Sequence, residues 1–390
     1  MSTVGRLFKS NIRQYGMVIA LAAIMLFFQV ITGGIMFKPM NITNLVLQNS
    51  YVMILAIGML LVIVTGGIDL SVGSVVAFVG AVSAVFMVDY GMPVLPAMVI
   101  GILIGAVAGA FQGYFIAFLR IPAFIVTLAG QLIFRGLTMT MLQAQTKAPF
   151  AKSFQALAAG YLPWMEVRWG ELNLIALSSG ILASIVLAVV VLHSRKTKLK
   201  YHFEVLPLWV DVLKIAVIVL GINLLTYKFA GYNGLPIILI ILVALILIYT
   251  FITQRTIAGR HIYALGGNEK AARLSGVKTN RVIFWCYVNM GVLAAVAGLV
   301  VAGRLNAATP KAGNGFELDA IAACFIGGAS PAGGIGTVIG TIVGGFVMAV
   351  LNNGMSIMGV PVDLQQTIKG VVLLGAVWFD VYTKSKSSSR

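Results

Sequence analysis

Uninterrupted apolar runs of about 20 residues recur along this 390-residue sequence, as in LAAIMLFFQV (21–30), IILIILVALILIY (237–249) and VVLLGAVWF (371–379). Twenty apolar residues are what a helix needs to cross a bilayer. A soluble domain is about half apolar and a quarter charged; this chain is 60% hydrophobic and 10% charged, with mean hydropathy +1.01. Within lipid every backbone polar group must be paired inside the protein, which leaves helices or a closed barrel. Barrel strands alternate apolar and polar residues. These runs do not alternate, so the expected class is an all-α, polytopic membrane protein.

Twelve spans are expected, near 16–37, 48–66, 71–88, 93–119, 122–142, 173–193, 207–227, 234–253, 282–303, 316–331, 335–353 and 363–381. Two of them, 48–66 and 316–331, are short and glycine-flanked, as broken or re-entrant segments would be. The first run follows Arg6, Lys9 and Arg13 but is too long for the core of a signal peptide, so it reads as a retained span. With the N-terminus in the cytoplasm, seventeen of the 27 Lys and Arg residues fall inside and seven outside. That excess is the positive-inside pattern and places both termini inside. Two loops are long: an outer one near 143–172, with Trp164 and Trp169 as interfacial anchors, and an inner one, 254–281.

The net charge of +16 is spread over the ends of apolar runs and forms no aromatic-plus-basic platform, so nucleic acid is not the expected partner. Cys286 and Cys324 fall in apolar runs, and the three histidines are scattered, which argues against a metal site or disulfide framework. No Gly-Lys-Ser/Thr occurs, so the chain lacks a phosphate-cradling P-loop. Neither H-E-x-x-H nor G-x-S-x-G is present, and no paired aspartates lie in the membrane runs.

One segment breaks the apolar pattern. ALGGNEKAARLSGVKTNR (264–281) carries Glu269, Lys270, Arg273, Lys278 and Arg281. Asn268 suits a helix N-cap and Gly276 a C′ position. Glu269 complements the positive helix end and Arg273 the negative one, while Ala271 and Ala272 keep one side small. So short a helix is marginal in water and should be docked, either on the membrane surface or on a partner protein.

TGGIDLSVGS (65–74), IPAFIVTLAGQLIFRGL (121–137), GRHIYALGGNEKAARLSGV (259–277), ELDAIAACFIGG (317–328) and VLNNG (350–354) occur in this order. The sequence resembles, from about residue 15 to 382, the permease subunits of bacterial ABC importers for ribose, xylose, galactose and related monosaccharides, most of all the xylose and multiple-monosaccharide permeases. The resemblance implies a homodimeric permease in the inner membrane that receives sugar from a periplasmic binding protein. Separate ATPase subunits, carrying ATP and magnesium, would drive it; no cofactor is expected on this chain. The resemblance also makes 254–281 a coupling loop, with Gly267, Asn268, Glu269, Ala271, Ala272, Arg273 and Gly276 in the ATPase-docking segment. A stand-alone secondary transporter or channel is the alternative. Relatives have about ten spans, so 173–230 reads as an inserted two-helix hairpin with a basic turn, SRKTKLK (194–200), and a possible Asp211–Lys214 pair one helix turn apart.

Polar residues inside membrane runs usually face a cavity or a partner. Asp69 is either a lining or gating residue or a carboxylate capping the helix that begins near 71–74. Gln131, Asn352 and Asn353 are further candidates for the translocation path, with interhelical hydrogen bonding as the other explanation. Residues 63–76 and 325–339 share an apolar run, a Gly-Gly pair and a polar turn opening a new helix. Internal repeats of this kind frame transport paths.

Overall fold

The computed structural model describes residues 3–162, 168–203, 205 and 207–388; the expected anchor Trp164 lies outside them. The elements are α1 (Thr3–Ile31), α2 (Pro39–Val64), α3 (Val72–Ala84) continued by a π turn (Val85–Asp89), α4 (Val94–Ala117), α5 (Ala123–Leu142) and α6 (Lys152–Ala159). A two-residue hairpin, β1 (Arg168–Trp169) and β2 (Leu172–Asn173), follows. Then come α7 (Leu174–Lys200), α8 (Leu208–Ala230), α9 (Ile237–Arg255), α10 (Ile257–Gly267), α11 (Glu269–Leu274), α12 (Thr279–Leu305), α13 (Phe316–Ile326), α14 (Val338–Ile357) and α15 (Val362–Ser388). Every expected span falls on a helix. Among the described residues nine helices are long and apolar enough to cross a membrane. The other three expected spans are the 16-residue apolar stretch Gly16–Ile31 of α1, the 11-residue α13 and α15, whose first two turns are polar.

Span 48–66 needs correction. It is neither short nor broken: α2 is one helix of 26 residues beginning at Pro39. Polar Asn41 and Thr43 masked its first turns, yet both are buried. From Val52 to Val64 the helix is buried on every side, as expected for a helix that is apolar all round. It forms the centre of the molecule, with α12, α13 and α14 packed against it.

Glycine sets the closest packing. Gly101, Gly105, Gly109 and Gly113 repeat every fourth residue along α4 and so share one face. A Cβ at Gly105 would stand 2.4 Å from the Gly291 carbonyl oxygen of α12, and one at Gly109 2.3 Å from that of Tyr287. Small-residue seams of this kind let membrane helices gain van der Waals contact where the hydrophobic effect gives none. The outward face of α4, with Leu95, Val99, Leu103 and Val107, is exposed and apolar, as suits lipid.

The loops sort to two ends. At one end Arg120 meets Glu269, and the Gly334 N–H donates to the Val64 carbonyl at 2.9 Å. At the other, Lys147 pairs with Asp89, residues 147 and 308 form a β-bridge, and the Asn306 side chain accepts from the Phe150 N–H at 2.8 Å. This is the partition expected from the Lys and Arg distribution. The stretch 173–230 is an antiparallel pair, α7 and α8, held by Asn223 donating to Ser184 at 2.8 Å and by Gly180 against Thr226. Asp211 pairs across the hairpin with Arg195 on α7, not with Lys214 on its own helix: a guanidinium on the facing helix supplies the better geometry.

Candidate functional site

The segment 264–281 folds as two short helices at the end of the bundle that also holds Arg120 and Gly334. α10 is capped by Thr256, whose side chain accepts from the Gly259 N–H. The chain then breaks at Asn268, which is extended and caps α11 by accepting from the Ala271 N–H at 3.0 Å. At the far end Gly276 has φ +85°. The Val277 N–H returns to the Ala272 carbonyl and the Gly276 N–H to that of Arg273, which is a Schellman closure. The start and the stop of α11 were therefore legible as Asn268 and Gly276.

The expected small face needs correction. Ala272 is 5% exposed, turned in against the protein, whereas Ala271 is exposed. A side chain on the inward face of so short a helix has to be small for the helix to lie close. The face left open carries Asn268, Lys270, Ala271, Arg273 and Leu274, the last 90% exposed. An open depression of about 570 Å³ is lined by Arg120, Glu269, Lys270, Arg273 and Leu274.

Three attachments fix this helix pair to the membrane body. The first is ionic. Arg120, in the α4–α5 loop, donates to Glu269 at 2.7 Å and to Asn280 at the start of α12. Its own φ is +59°, a left-handed conformation that costs a side-chain-bearing residue about 1–2 kcal/mol. Arg273 adds a bond to Glu269 at 3.2 Å. The Arg120 hydrogen bond is the main reason the Glu269 carboxyl is held below the usual carboxylate range. The second attachment is steric: a Cβ at Gly266 would lie 1.7 Å from the Val64 carbonyl oxygen and 2.6 Å from the Gly334 nitrogen. The third is the Tyr263 hydroxyl, which donates to the Gly336 carbonyl at 2.7 Å. Arg120, Tyr263 and Asn280 were not singled out by sequence. A lone arginine in a short inner loop is the one available signal, and it does not reveal its partner.

The turns of the repeat noticed in sequence, 63–76 and 325–339, lie beside each other here. A Cβ at Gly333 would touch Val64 and Gly66. The first loop enters α3 at Ser71 and the second enters α14 at Thr337, whose side chain accepts from the Gly340 N–H.

The four path candidates occupy three different places. Asp69 is buried, and its Oδ1 accepts from the Ser71 N–H at 2.8 Å and the Ser71 hydroxyl at 2.7 Å. That hydroxyl also meets the Gln112 amide at 2.8 Å. These are helix-entry contacts. Asn353 and Asn41 exchange two amide hydrogen bonds, 2.9 and 3.1 Å, between α14 and α2, and Asn352 reaches Asn49 at 3.4 Å. Both asparagines thus make interhelical bonds. Gln131 points at Glu317 Oε1, 3.4 Å away, in the first turn of α13. That turn carries a second buried carboxylate, Asp319, which takes Lys369 of α15 at 3.0 Å and the Tyr51 hydroxyl of α2 at 3.1 Å. Arg135 of α5 donates to the carbonyls of Pro310 and Ala312 in the loop just before it.

Residues 41–377 match the family model described as a branched-chain amino acid transport system / permease component. The chain belongs to this permease family. It is 39% identical over 382 residues to the xylose transport system permease protein XylH of Haemophilus influenzae, covering 96% of this chain and 98% of that one. It is 38% identical to XylH of Escherichia coli over 383 residues, 97% and 94% of the two chains. The ribose import permease protein RbsC of Escherichia coli is 34% identical over 340 residues, 87% and 85% of the two chains. No solved structure matches. The permease is thus a multi-pass membrane protein and the transport component of its system.

Proposed function

We propose that this permease is the membrane-spanning subunit of an ATP-driven, binding-protein-dependent monosaccharide importer of a bacterial inner membrane, with D-xylose the first sugar to test. The family description names amino acids, so the sugar reading rests on the near full-length match to xylose and ribose permeases. A separate ATPase carrying ATP and magnesium drives the cycle, a periplasmic protein delivers the sugar, and two permease copies form the transporter. The observation that carries the coupling role is the α10–α11 pair: capped at both ends, braced against α2, α12 and two loops, and presenting Leu274 almost fully to water. Burying a leucine in a partner is worth about 1.5–3 kcal/mol, so an exposed one beside Lys270 and Arg273 suits a protein cleft.

The test is co-purification and transport with the cognate ATPase. Leu274→Asp should weaken ATPase association more than about tenfold and abolish D-xylose uptake into proteoliposomes, with the helical content unchanged. Undiminished association would refute docking at this helix. Uptake of D-xylose by the permease alone, without ATPase, would establish a secondary transporter instead.

A further inference from the structure

Among the described helices, α15 presents a face unsuited to lipid. Asp363, Gln366, Thr367 and Gly370 are all exposed, and at about 100° per residue they fall within one stripe roughly 100° wide. The stripe covers the first two turns, in the outer half of the helix. Beside it, Leu364, Val371 and Trp378 form a second exposed face that is apolar. The two faces are adjacent, and one turn beyond Gly370 the polar stripe gives way to Leu374, 71% exposed, so the hydrogen-bonding wall is confined to 363–370. Polar residues in spans ordinarily face the bundle interior or a water-filled cavity, yet this stripe is not covered by its own chain.

What lies behind the stripe bears on its occupant. Lys369, between Gln366 and Gly370 in sequence but turned inward, holds Asp319 of α13, which also takes the Tyr51 hydroxyl. The other carboxylate of that turn, Glu317, reaches Gln131 on α5. The α15 stripe thus continues into a polar layer that passes through the first turn of α13 to α5. Thr367 rests its hydroxyl on the Asp363 carbonyl at 3.2 Å, as threonines in membrane helices do. A Cβ at Gly370 would meet nothing within 4 Å, so the stripe opens onto free space at that point. Amide, hydroxyl and carboxylate groups on an open wall match the hydrogen-bonding surface of a neutral polyol and suit a lipid chain badly.

We propose that Asp363, Gln366, Thr367 and Gly370 line the aqueous path through which the sugar crosses the outer half of the membrane. This rests on the sugar-importer reading above. Lys369 is a positioning residue: its bond to Asp319 sets the rotation of α15 and so aims the stripe.

The experiment uses the full permease with its ATPase in proteoliposomes, carrying single cysteines at Gln366, Thr367 or Gly370, or at Leu364 or Val371 as controls, with Cys286 and Cys324 replaced by alanine. The probe is a charged, water-soluble methanethiosulfonate, which reacts with the thiolate and hence only where water reaches the sulfur. Cysteines at 366, 367 and 370 should react much faster than those at 364 and 371, and D-xylose should slow them. Separately, Gln366→Leu should lower D-xylose uptake roughly fivefold, the loss of about one hydrogen bond, with the ATPase still bound. Equal reactivity on both faces in vesicles that do transport D-xylose would overturn the proposal. So would protection of the stripe together with a disulfide between two permease copies, which would make it a subunit interface. Fast labelling of the stripe in vesicles that take up no D-xylose, and are not slowed by it, would sustain the aqueous path and refute the choice of sugar.

Discussion

Gly266 and Gly267 are adjacent and look equivalent in sequence, but their surroundings predict opposite outcomes for the same substitution. A Cβ at Gly266 would lie 1.7 Å from the Val64 carbonyl oxygen, and Cβ atoms essentially never approach another heavy atom closer than 3.0 Å. The end of α10 must therefore retreat from α2 by about 1.3 Å, the difference between those two distances. Val64 O is also the acceptor of the Gly334 N–H, so the retreat strains that buried bond. Overpacking costs about 1–3 kcal/mol, and loosening a buried hydrogen bond adds about 1 kcal/mol. The total is about 2–4 kcal/mol, enough to displace α11 without unfolding the spans. At Gly267 an added Cβ meets nothing within 4 Å, and its φ lies outside the left-handed region. Gly266→Ala should thus cut sugar-stimulated ATP hydrolysis and D-xylose uptake in proteoliposomes by at least tenfold, whereas Gly267→Ala should leave both within about twofold. If the two variants behave alike, or if Gly266→Ala keeps full coupling, the close contact between α10 and α2 does not transmit the work of the ATPase.

Two further outcomes follow from the polar contacts. Asn353→Leu leaves the buried Asn41 carboxamide with only its bond to the Met36 carbonyl and should lower stability by about 1–3 kcal/mol; Asn41→Leu with Asn353→Leu together should cost less than the sum, measured by denaturant unfolding in detergent, and strict additivity would refute the reciprocal pair. The Glu269 carboxyl is depressed, chiefly by the Arg120 hydrogen bond, so its contribution is fully present above the ordinary carboxylate pKa of about 4.3 and disappears as pH falls through the lower folded value. Both partners are about two-fifths exposed, which limits the pair to about 1 kcal/mol or less. The difference in thermal midpoint between the protein and Glu269→Gln should be constant from pH 6 to 8 and vanish in strong acid; a difference that changes across pH 6–8 would contradict the assignment.

Most helices were legible because lipid makes hydrophobic length nearly sufficient. The α11 segment was legible because caps are written in single residues, Asn268 and Gly276. What stayed hidden depends on pairing. The burial of Ala272 rather than Ala271 is decided by which way a two-turn helix leans. The Asp211–Arg195 pair is decided by the facing helix. The early start of α2 was obscured because Asn41 and Thr43 interrupt the apolar run, and Asn41 finds its partner, Asn353, only on α14. The four glycines of α4 were readable as a packing seam from their spacing alone, and α12 could be sought as the partner only by its own Gly291.

The same contacts decide which direction of motion α10–α11 can communicate. Backbones in van der Waals contact, as Gly266 is with Val64 and Gly334, resist approach steeply but resist separation only by weak dispersion. A partner pressing on α11 therefore drives against the end of α2 and against the loop that opens α14, two points joined by the Gly334–Val64 hydrogen bond. Outward pull is carried by different groups: the Arg120 bonds to Glu269 and Asn280 and the Tyr263 bond to Gly336. The pull reaches the α4–α5 loop and α12, which are in turn locked together through Gly105, Gly109 and Gly291. Both reach the loop that opens α14, push through Gly334 and pull through Gly336; push alone meets the end of α2, and pull alone meets the α4–α5 loop and α12. On the docking reading, severing Arg120 from Glu269 should impair the step in which the ATPases separate, while filling Gly266 should impair the step in which they close.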